Sequence, residues 1–311
     1  MPLFSVIIPT YNRADFLIRA LDSVFAQEFT DYEVIVADDG STDATAEMAA
    51  RYGDRVRYFR QDNRGPGPAR NLGIRQAQAE YITFLDSDDI WFPWTLRTFA
   101  RVIADHNQPA FVAGTSVEFN DALPLLRGRP AALGCDRFAD YYTIANGELL
   151  WIGGTCAVAI RADVLRSVGG FADRRIYMED LDLWMKLGVA PGFVLVRTPA
   201  LFGYWQQGQS AVSDLEACCR GGDFVIDQES TGRYPGGEDR KWQRLRILSV
   251  HLRPLSIACL ERGRIGWGWR LFYRTLGWSV RLRRLKYIAA IPLLTIRFGP
   301  TSLFLRGEPR G

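Results

Sequence analysis

The sequence predicts an α/β fold, a mostly parallel sheet flanked by helices, with a C-terminal helical extension. Three observations carry this expectation. Short β-branched and aromatic runs alternate with amphipathic helical segments through the first hundred residues, acidic clusters follow directly on two of those runs, and only helical periodicity remains after about Ser213.

Taken in order, Leu3 to Ile8 is a β-branched run stopped by Pro9 and reads as a buried strand. Phe16, Leu17, Ala20, Leu21, Val24 and Phe25 then recur at helical spacing. Glu33 to Ala37 is a second strand, followed by the polar turn Asp38-Asp39-Gly40-Ser41-Thr42-Asp43, in which Ser41, Thr42 or Asp43 can cap the next helix. Val56 to Arg60 is a third strand, and Gly65-Pro66-Gly67-Pro68 breaks the chain before a helix from Ala69 to Gln78. Tyr81 to Leu85 is a fourth strand and runs into Asp86-Ser87-Asp88-Asp89. Ligands of parallel sheets bind beyond the carboxyl ends of the strands, so both acidic clusters are expected on one rim. Past Pro109 the pattern loosens. Ala110 to Phe119 and Trp151 to Ile160 read as strands, Arg161 to Val168 as a short helix ended by Gly169-Gly170, and Tyr177 to Leu187 as a helix led by acidic residues. A boundary near residue 212 separates residues 1–212 from a basic, aromatic-rich helical extension, 213–311.

Composition narrows the class. With 48% hydrophobic and 23% charged residues among 311, wholesale disorder is excluded. Five cysteines without a C-x-x-C pair, and two histidines, exclude a thiolate–imidazole zinc site and fit a reducing compartment. Met1 to Pro9 has no charged start followed by an apolar stretch, and no segment reaches the roughly 18 apolar residues of a spanning helix, so a cytoplasmic location is expected. The net charge of +3 is a cancellation. Residues 240–311 hold 16 Lys and Arg against two acids, whereas residues 1–239 hold 22 basic and 33 acidic side chains. Such a tail suits an anionic partner. Arginine with Trp242, Trp267, Trp269, Trp278, Phe272 and Tyr273 can stack on bases, but Leu271, Leu276, Leu282 and Leu285 at helical spacing favour the anionic surface of a membrane, and no nucleic acid is expected. The plain alternative is a helical subdomain with a solvated basic face.

The strongest chemical signal is the pair Asp86 and Asp88 at the end of a buried strand. If the backbone stays extended there, both carboxylates point one way and can face one hard cation, Mg²⁺ or Mn²⁺. A bare D-x-D is weak, because capping aspartates before a helix give the same string; Asp89, with Pro93 following, reads as such a cap. Combination makes the pattern specific. Ser5-Val6-Ile7-Ile8-Pro9-Thr10-Tyr11-Asn12-Arg13, Val36 to Asp43, Ala69-Arg70-Asn71, Phe84 to Asp89, and Gly169-Gly170-Phe171 followed by Glu179-Asp180 stand in this order. Over residues 3–210 the chain resembles the family 2 glycosyltransferases, which have the Rossmann-like, mixed-sheet GT-A fold and bind nucleotide sugars.

That resemblance implies a donor site lined by Pro9, Thr10 and Tyr11, with Asp39 reading the base, Arg70 donating to the nucleotide or diphosphate, and Ser87 beside it. Asp86 would hold ribose or support the ion, Asp88 would ligate the divalent cation directly, and Asp180 would be the general base of an inverting transfer, with Glu179 beside it on the acceptor side. A raised pKa in that acidic group would suit a base, while an acidic helix N-terminus favoured by the dipole gives the same letters; both readings place Asp180 inward and Asp182 outward. Trp151 and Trp205 are the tryptophans assigned to acceptor contact; Trp91, Trp94 and Trp184 are expected in the core. One departure stands out: where relatives carry a histidine that completes the metal site, the chain reads Tyr204-Trp205-Gln206-Gln207-Gly208-Gln209-Ser210, with Gln207 nearest that place. The expected function is transfer of a sugar from a nucleoside-diphosphate donor, a UDP-sugar favoured, to a hydroxyl of a glycan or lipid-linked acceptor in cell-surface polysaccharide biosynthesis, by an enzyme peripheral to the inner face of the cell membrane. The alternatives are a non-catalytic nucleotide-sugar-binding subunit, motivated by the missing histidine, and nucleotidyl transfer, which lacks a Gly-rich, basic phosphate loop.

Overall fold

The computed structural model describes residues 1–119, 130–147, 152, 154–205 and 214–298. They divide between two compact units, one from residues 1–143, 152–175 and 179–210, the other from 144–151, 176–178 and 211–311.

In the first unit the strands are β1 (Phe4–Thr10), β2 (Tyr32–Asp38), β3 (Arg57–Arg60), β4 (Tyr81–Phe84), β5 (Ile90–Trp91), β6 (Phe111–Ala113), β7 (Ser116–Phe119), β8 (Gly134–Phe138), β9 (Val158–Arg161), β10 (Phe193–Thr198) and β11 (Phe202–Trp205). The helices are α1 (Ala14–Phe25), α2 (Thr45–Ala50), α3 (Pro66–Gln76), α4 (Thr95–Asp105), α5 (Ala162–Ser167) and α6 (Glu179–Lys186). Among the described residues the main sheet runs β3-β2-β1-β4-β9-β6-β10-β8, and a small sheet runs β5-β11-β7. Strands β3, β2, β1 and β4 are mutually parallel, whereas β9 is antiparallel to both β4 and β6 and β8 is antiparallel to β10. The predicted mostly parallel sheet is therefore present, with reversals confined to its second half.

Strand β1 is buried along its whole length, as expected of a central strand covered on both faces. Its register sets Thr10 beside Asp38 of β2, and Ile7 beside Phe84 of β4, so the chain leaves all three strands at the same edge. Helix α3 lies directly on β1 because Gly73 has no side chain: a Cβ there would sit 2.4 Å from Ile7 Cγ2.

Three element boundaries differ from expectation. The predicted helix at Ala69 begins at Pro66, because Pro66 and Pro68 both fall in the first turn, where a missing N–H costs nothing. The predicted strand Ala110 to Phe119 is two strands in two sheets, parted where Gly114 passes against Leu201 with no room for a Cβ. The predicted strand Trp151 to Ile160 narrows to Val158–Arg161 behind a 3-10 turn at Thr155–Ala157.

The segment after α5 is fastened to α3 by one side chain. Asn71 donates through Nδ2 to the Phe171 carbonyl and accepts the Phe171 N–H on Oδ1, both at 2.9 Å and both buried. Gly170 precedes this clamp at φ +66°, and a Cβ on it would stand 2.5 Å from Asn71 Oδ1, so glycine is required twice over.

The second unit is helical: α7 (Leu215–Ser230), α8 (Lys241–Glu261), α9 (Ile265–Arg281) and α10 (Leu285–Phe298). Arg244 is buried against Glu229 and also donates to the Pro235 and Gly237 carbonyls, which fixes the α7–α8 connection. Leu260, Phe272, Tyr287 and Ile291 form a small core shared by α8, α9 and α10. Cys218 and Cys219 are buried within α7. Among the described residues no helix is long and apolar enough to cross a membrane.

Removing the clamp tests the fold directly. Asn71→Ala strands two buried backbone groups of Phe171, and a loss on the order of 2–3 kcal/mol is expected in urea unfolding; an unchanged midpoint would show that the clamp carries no weight.

Candidate functional site

The edge at which β1, β2 and β4 end gathers most of the predicted residues. Pro9 and Thr10 close β1 in buried positions, and Tyr11 projects into solvent. Asn12, at φ +50°, then ties the first loop to the second, donating its N–H to Ser41 Oγ and accepting the Thr42 N–H. Asp43 accepts from the backbone of both Ala14 and Thr45. Asp38 is fully buried and is held by the Ser41 N–H and the Tyr58 hydroxyl. Its neighbour Asp39 is buried too, and three donors converge on it: Gln61 Nε2 at 2.8 Å, Arg64 N at 2.9 Å and Gly65 N at 2.7 Å.

The acidic segment after β4 does not stay extended. The Asp86 carbonyl accepts the Asp89 N–H at 3.0 Å, so Ser87 and Asp88 form a turn. The condition under which Asp86 and Asp88 share one direction is thereby not met, and the two carboxylates are held by different arginines. Arg13 Nη1 pairs with Asp88 Oδ2 at 2.9 Å, and Arg70 Nη2 with Asp86 Oδ1 at 2.6 Å. Both aspartates keep about a third of their side-chain surface exposed (32% and 33%), enough for a ligand to reach them. Burial and the nearby Asp86 charge hold the Asp88 carboxyl above the ordinary carboxylate range, against the pull of Arg13. Ser87 is buried within the turn.

Asp89 is not a helix cap. It is buried, accepts the Trp205 N–H at 3.1 Å and the Cys156 S–H at 3.1 Å, and is pushed up to about 8 by burial first and the Asp86 charge second. Helix α4 starts only at Thr95, too far along for a capping bond. Carboxylate oxygens of Asp86 and Asp89 and the Cys156 sulfur lie within 4.8 Å of one another, a group that can hold a metal ion. Burial keeps Cys156 a thiol, so the hard donors of the group are the two carboxylates.

Arg70 reaches a second element as well. Its Nη1 donates to Glu179 Oε1 at 3.0 Å, and its guanidinium lies 5.3 Å from the Phe171 ring. It is only 4% exposed, so it is no surface helix arginine. Burial opposes its charge, and Asp86 and Glu179 more than restore it. Glu179, the first residue of α6, is pushed above the usual range by burial, with Arg70 opposing. Asp180 follows it half-buried, Oδ1 accepting the Leu181 N–H at 2.7 Å, and its charge raises the buried Tyr141 hydroxyl further. Asp182 does not face outward: it is fully buried and pairs with Lys186 one turn on, because residues 181–185 of α6 are all enclosed and leave no solvent face there.

Trp205 is packed, with the Arg19 guanidinium 3.8 Å above its ring and Phe16 and Phe119 edge-on at 5.6 and 5.4 Å. Trp91, Trp94 and Trp184 are buried, as expected. Trp151 and Gln207 lie outside the described residues. Sequence reasoning missed Arg13 and Cys156 as members of this group. Arg13 carried a signal, as the last residue of the first strand-end motif, whereas nothing local marks Cys156, which arrives from the turn before β9.

Comparison with known proteins identifies the family and the fold. The model of the family described as Glycosyl transferase family 2 matches residues 5–167, just over half of the chain. A protein of Rickettsia typhi named as an uncharacterised glycosyltransferase is 30% identical over 193 residues, 60% of this chain and 58% of that one. The Staphylococcus aureus (strain Mu50) poly(ribitol-phosphate) β-N-acetylglucosaminyltransferase TarS is 38% identical over 113 residues, 34% of this chain and 20% of TarS. The chain thus spans less than two thirds of the length of these curated relatives. Among solved structures, S. aureus TarS 1–349 in complex with UDP-GlcNAc superposes with a TM-score of 0.62 at 20% identity, covering 90% of this chain and 92% of that one. The Pyrobaculum calidifontis mannosyltransferase PcManGT in complex with GDP-Man and Mn²⁺ gives 0.54 at 17%, covering 98% and 88%. The shared architecture is the GT-A fold.

The Arg70 bridge generates its own test. Arg70→Met leaves Glu179 a buried, unpaired carboxylate, and a loss of about 3–5 kcal/mol is expected in chemical unfolding. Arg70→Met combined with Glu179→Gln should recover part of it, and strictly additive losses would show that the two side chains are not coupled.

Proposed function

The chain belongs to glycosyl transferase family 2, and we propose that it is a metal-dependent, inverting glycosyltransferase that moves a sugar from a UDP-sugar to a hydroxyl of a glycan or lipid-linked acceptor. The observation that carries this reading is the Arg70 bridge, which brings the strand-end aspartates and the Glu179-Asp180 pair, distant in sequence, to one rim. The UDP-GlcNAc and UDP bound in the TarS structures support the choice of donor base, and cell-surface polysaccharide biosynthesis is the role we assign.

The carboxylates of this rim fit a hard divalent cation, Mn²⁺ or Mg²⁺: Asp86 and Asp88 are partly exposed oxygen donors, and Asp89 lies beside Asp86. In our reading Asp88 and Asp86 hold it, and when bound it supplies positive charge for the leaving diphosphate. The protein does the rest. Pro9, Thr10, Tyr11, Asp39 and Ser87 line the donor side. Thr10 Oγ1 is buried without a hydrogen-bond partner among the described residues, a group a donor can satisfy. Arg70 acts as a positioning residue, because its two terminal nitrogens are already directed at Asp86 and Glu179. Asp180 takes the proton of the acceptor hydroxyl as its oxygen attacks the anomeric carbon from the side opposite the diphosphate. Glu179, Trp151 and Trp205 are assigned to the acceptor side. The basic residues of 240–311 carry the enzyme to an anionic membrane surface, the inner face of the cell membrane, and no nucleic acid is involved.

A second reading, a nucleotide-sugar-binding subunit without turnover, draws on Gln207 standing where relatives have histidine and on the Arg13–Asp88 pair. Release of UDP from a UDP-sugar with Mn²⁺ separates the two, since an inert subunit releases none.

Two measurements check the residue roles. Asp180→Asn should lower transfer by about 10²–10⁴-fold with UDP affinity nearly unchanged; near-wild-type turnover would remove Asp180 from the mechanism. Arg13→Gln should tighten Mn²⁺ binding to the nucleotide-free protein by roughly two- to fivefold in calorimetry, the worth of a partly exposed ion pair with Asp88. Unchanged affinity would show that Asp88 is not a ligand.

A further inference from the structure

Helix α10 is apolar on two opposite sides. Tyr287 and Ile291 are buried in the small core with Leu260 and Phe272, and Ile288 and Leu294 pack partly against it. On the other side Leu285, Leu293 and Ile296 are 69%, 66% and 63% exposed, with Ala289 and Pro292 exposed between them. Positions 285, 289, 292, 293 and 296 recur at helical spacing and therefore form one stripe. A helix that packs on its neighbours needs a single apolar face, and the described residues leave this second stripe open to solvent.

The charge around the stripe is of one sign. Residues 262–298 hold nine basic side chains and no acidic one. Those on α9 are largely committed inside the unit: Arg270 and Arg274 pair with Asp223, and Arg274 also with Asp227. Arg264, just before α9, pairs with Glu216. Among the described residues no acidic side chain pairs with Arg283, Lys286 or Arg297, which flank α10 at its start and its end. By helical spacing Lys286 and Arg297 fall along the same edge of the stripe.

We propose that α10 is the docking element of the membrane-surface reading given above, lying in the plane of an anionic bilayer with Leu285, Leu293 and Ile296 in the acyl boundary and Arg283, Lys286 and Arg297 on lipid phosphates. The inference rests on that reading and adds the element, its orientation and its two kinds of contact. Charge complementarity selects the occupant. A second copy of this chain, meeting stripe to stripe, would bring like charges together, whereas anionic lipid supplies the opposite charge and an apolar phase in one surface.

The test is flotation of the full-length protein with phosphatidylcholine vesicles, with and without about 30% phosphatidylserine. Wild type should float with the anionic vesicles only. Leu285→Glu combined with Leu293→Glu should lower the bound fraction about tenfold or more and leave the circular dichroism and melting temperature unchanged, because both side chains are exposed. Lys286→Glu combined with Arg297→Glu should also release the protein and tests the charge separately. If wild type floats and the leucine variant floats equally well, the assignment to α10 is overturned while the membrane reading stands. No flotation of wild type on either vesicle overturns the membrane reading itself. Equal flotation on both vesicles removes the charge contact. A dimer in light scattering that the leucine variant dissolves would show that a second copy covers the stripe.

Discussion

A single guanidinium, taken out of water and placed between two carboxylates, organises the first unit. Arg70 sits on α3, Asp86 beyond β4, the next strand, and Glu179 at the start of α6, 109 residues from Arg70. Burying Arg70 and Glu179, with Asp86 partly exposed, is unfavourable unless their geometry satisfies them, so such a bridge adds little net stability compared with apolar packing. Its effect is on position. Any arrangement of α6 or of the β4 turn that moves a carboxylate away leaves a buried charge uncompensated, and such alternatives are selected against. The Asn71 clamp on Phe171, one residue along α3, works in the same direction with neutral groups.

The rim beyond the strands is crowded with negative charge, and the protein supplies its own cations to hold it. Asp86, Asp88 and Asp89 fall within a single turn, a placement that like-charge repulsion resists. Arg70 offsets Asp86 from within the fold, Arg13 offsets Asp88 from the neighbouring loop, and Asp89 is driven toward its neutral form by burial. The three carboxylates thus carry different burdens despite being neighbours. Asp86 and Asp88 remain reachable from solvent, whereas Asp89 is spent on the backbone of Trp205 and the thiol of Cys156, joining β11 and the turn before β9 to the acidic turn. In the function proposed above, the exposed pair is assigned to the metal and the buried one to its support.

The helical unit uses its charge differently. Its buried ion pair, Arg244 with Glu229, is internal and fixes a connection, and the α9 arginines face the acids of α7. Charge left over after these pairings collects around α10, beside an apolar stripe that the described residues leave exposed. Net charge summed over the whole chain conceals this, because the acidic excess of residues 1–239 cancels most of it.

Much was legible in the sequence. Apolar periodicity marked β1, β2, β4 and α1 because those elements bury an apolar face in the simplest way, and the order of the motifs was enough to assign the family, since each motif sits at a strand end or helix start that the fold requires. The D-x-D segment and the Glu179-Asp180 pair were visible for the same reason. What the sequence left open were the relations that depend on three-dimensional packing. That Arg70 is buried and spans two carboxylates, that Asp182 is enclosed, that Asp89 is no cap and that Cys156 joins the acidic turn are not local properties; they arise when residues as far as 116 apart in the chain are brought into contact. Local pattern determines which faces are apolar and where the backbone can turn. Only the tertiary structure decides which charges meet, because electrostatic partnership depends on distance in space and on the exclusion of water, and neither is written in residue spacing.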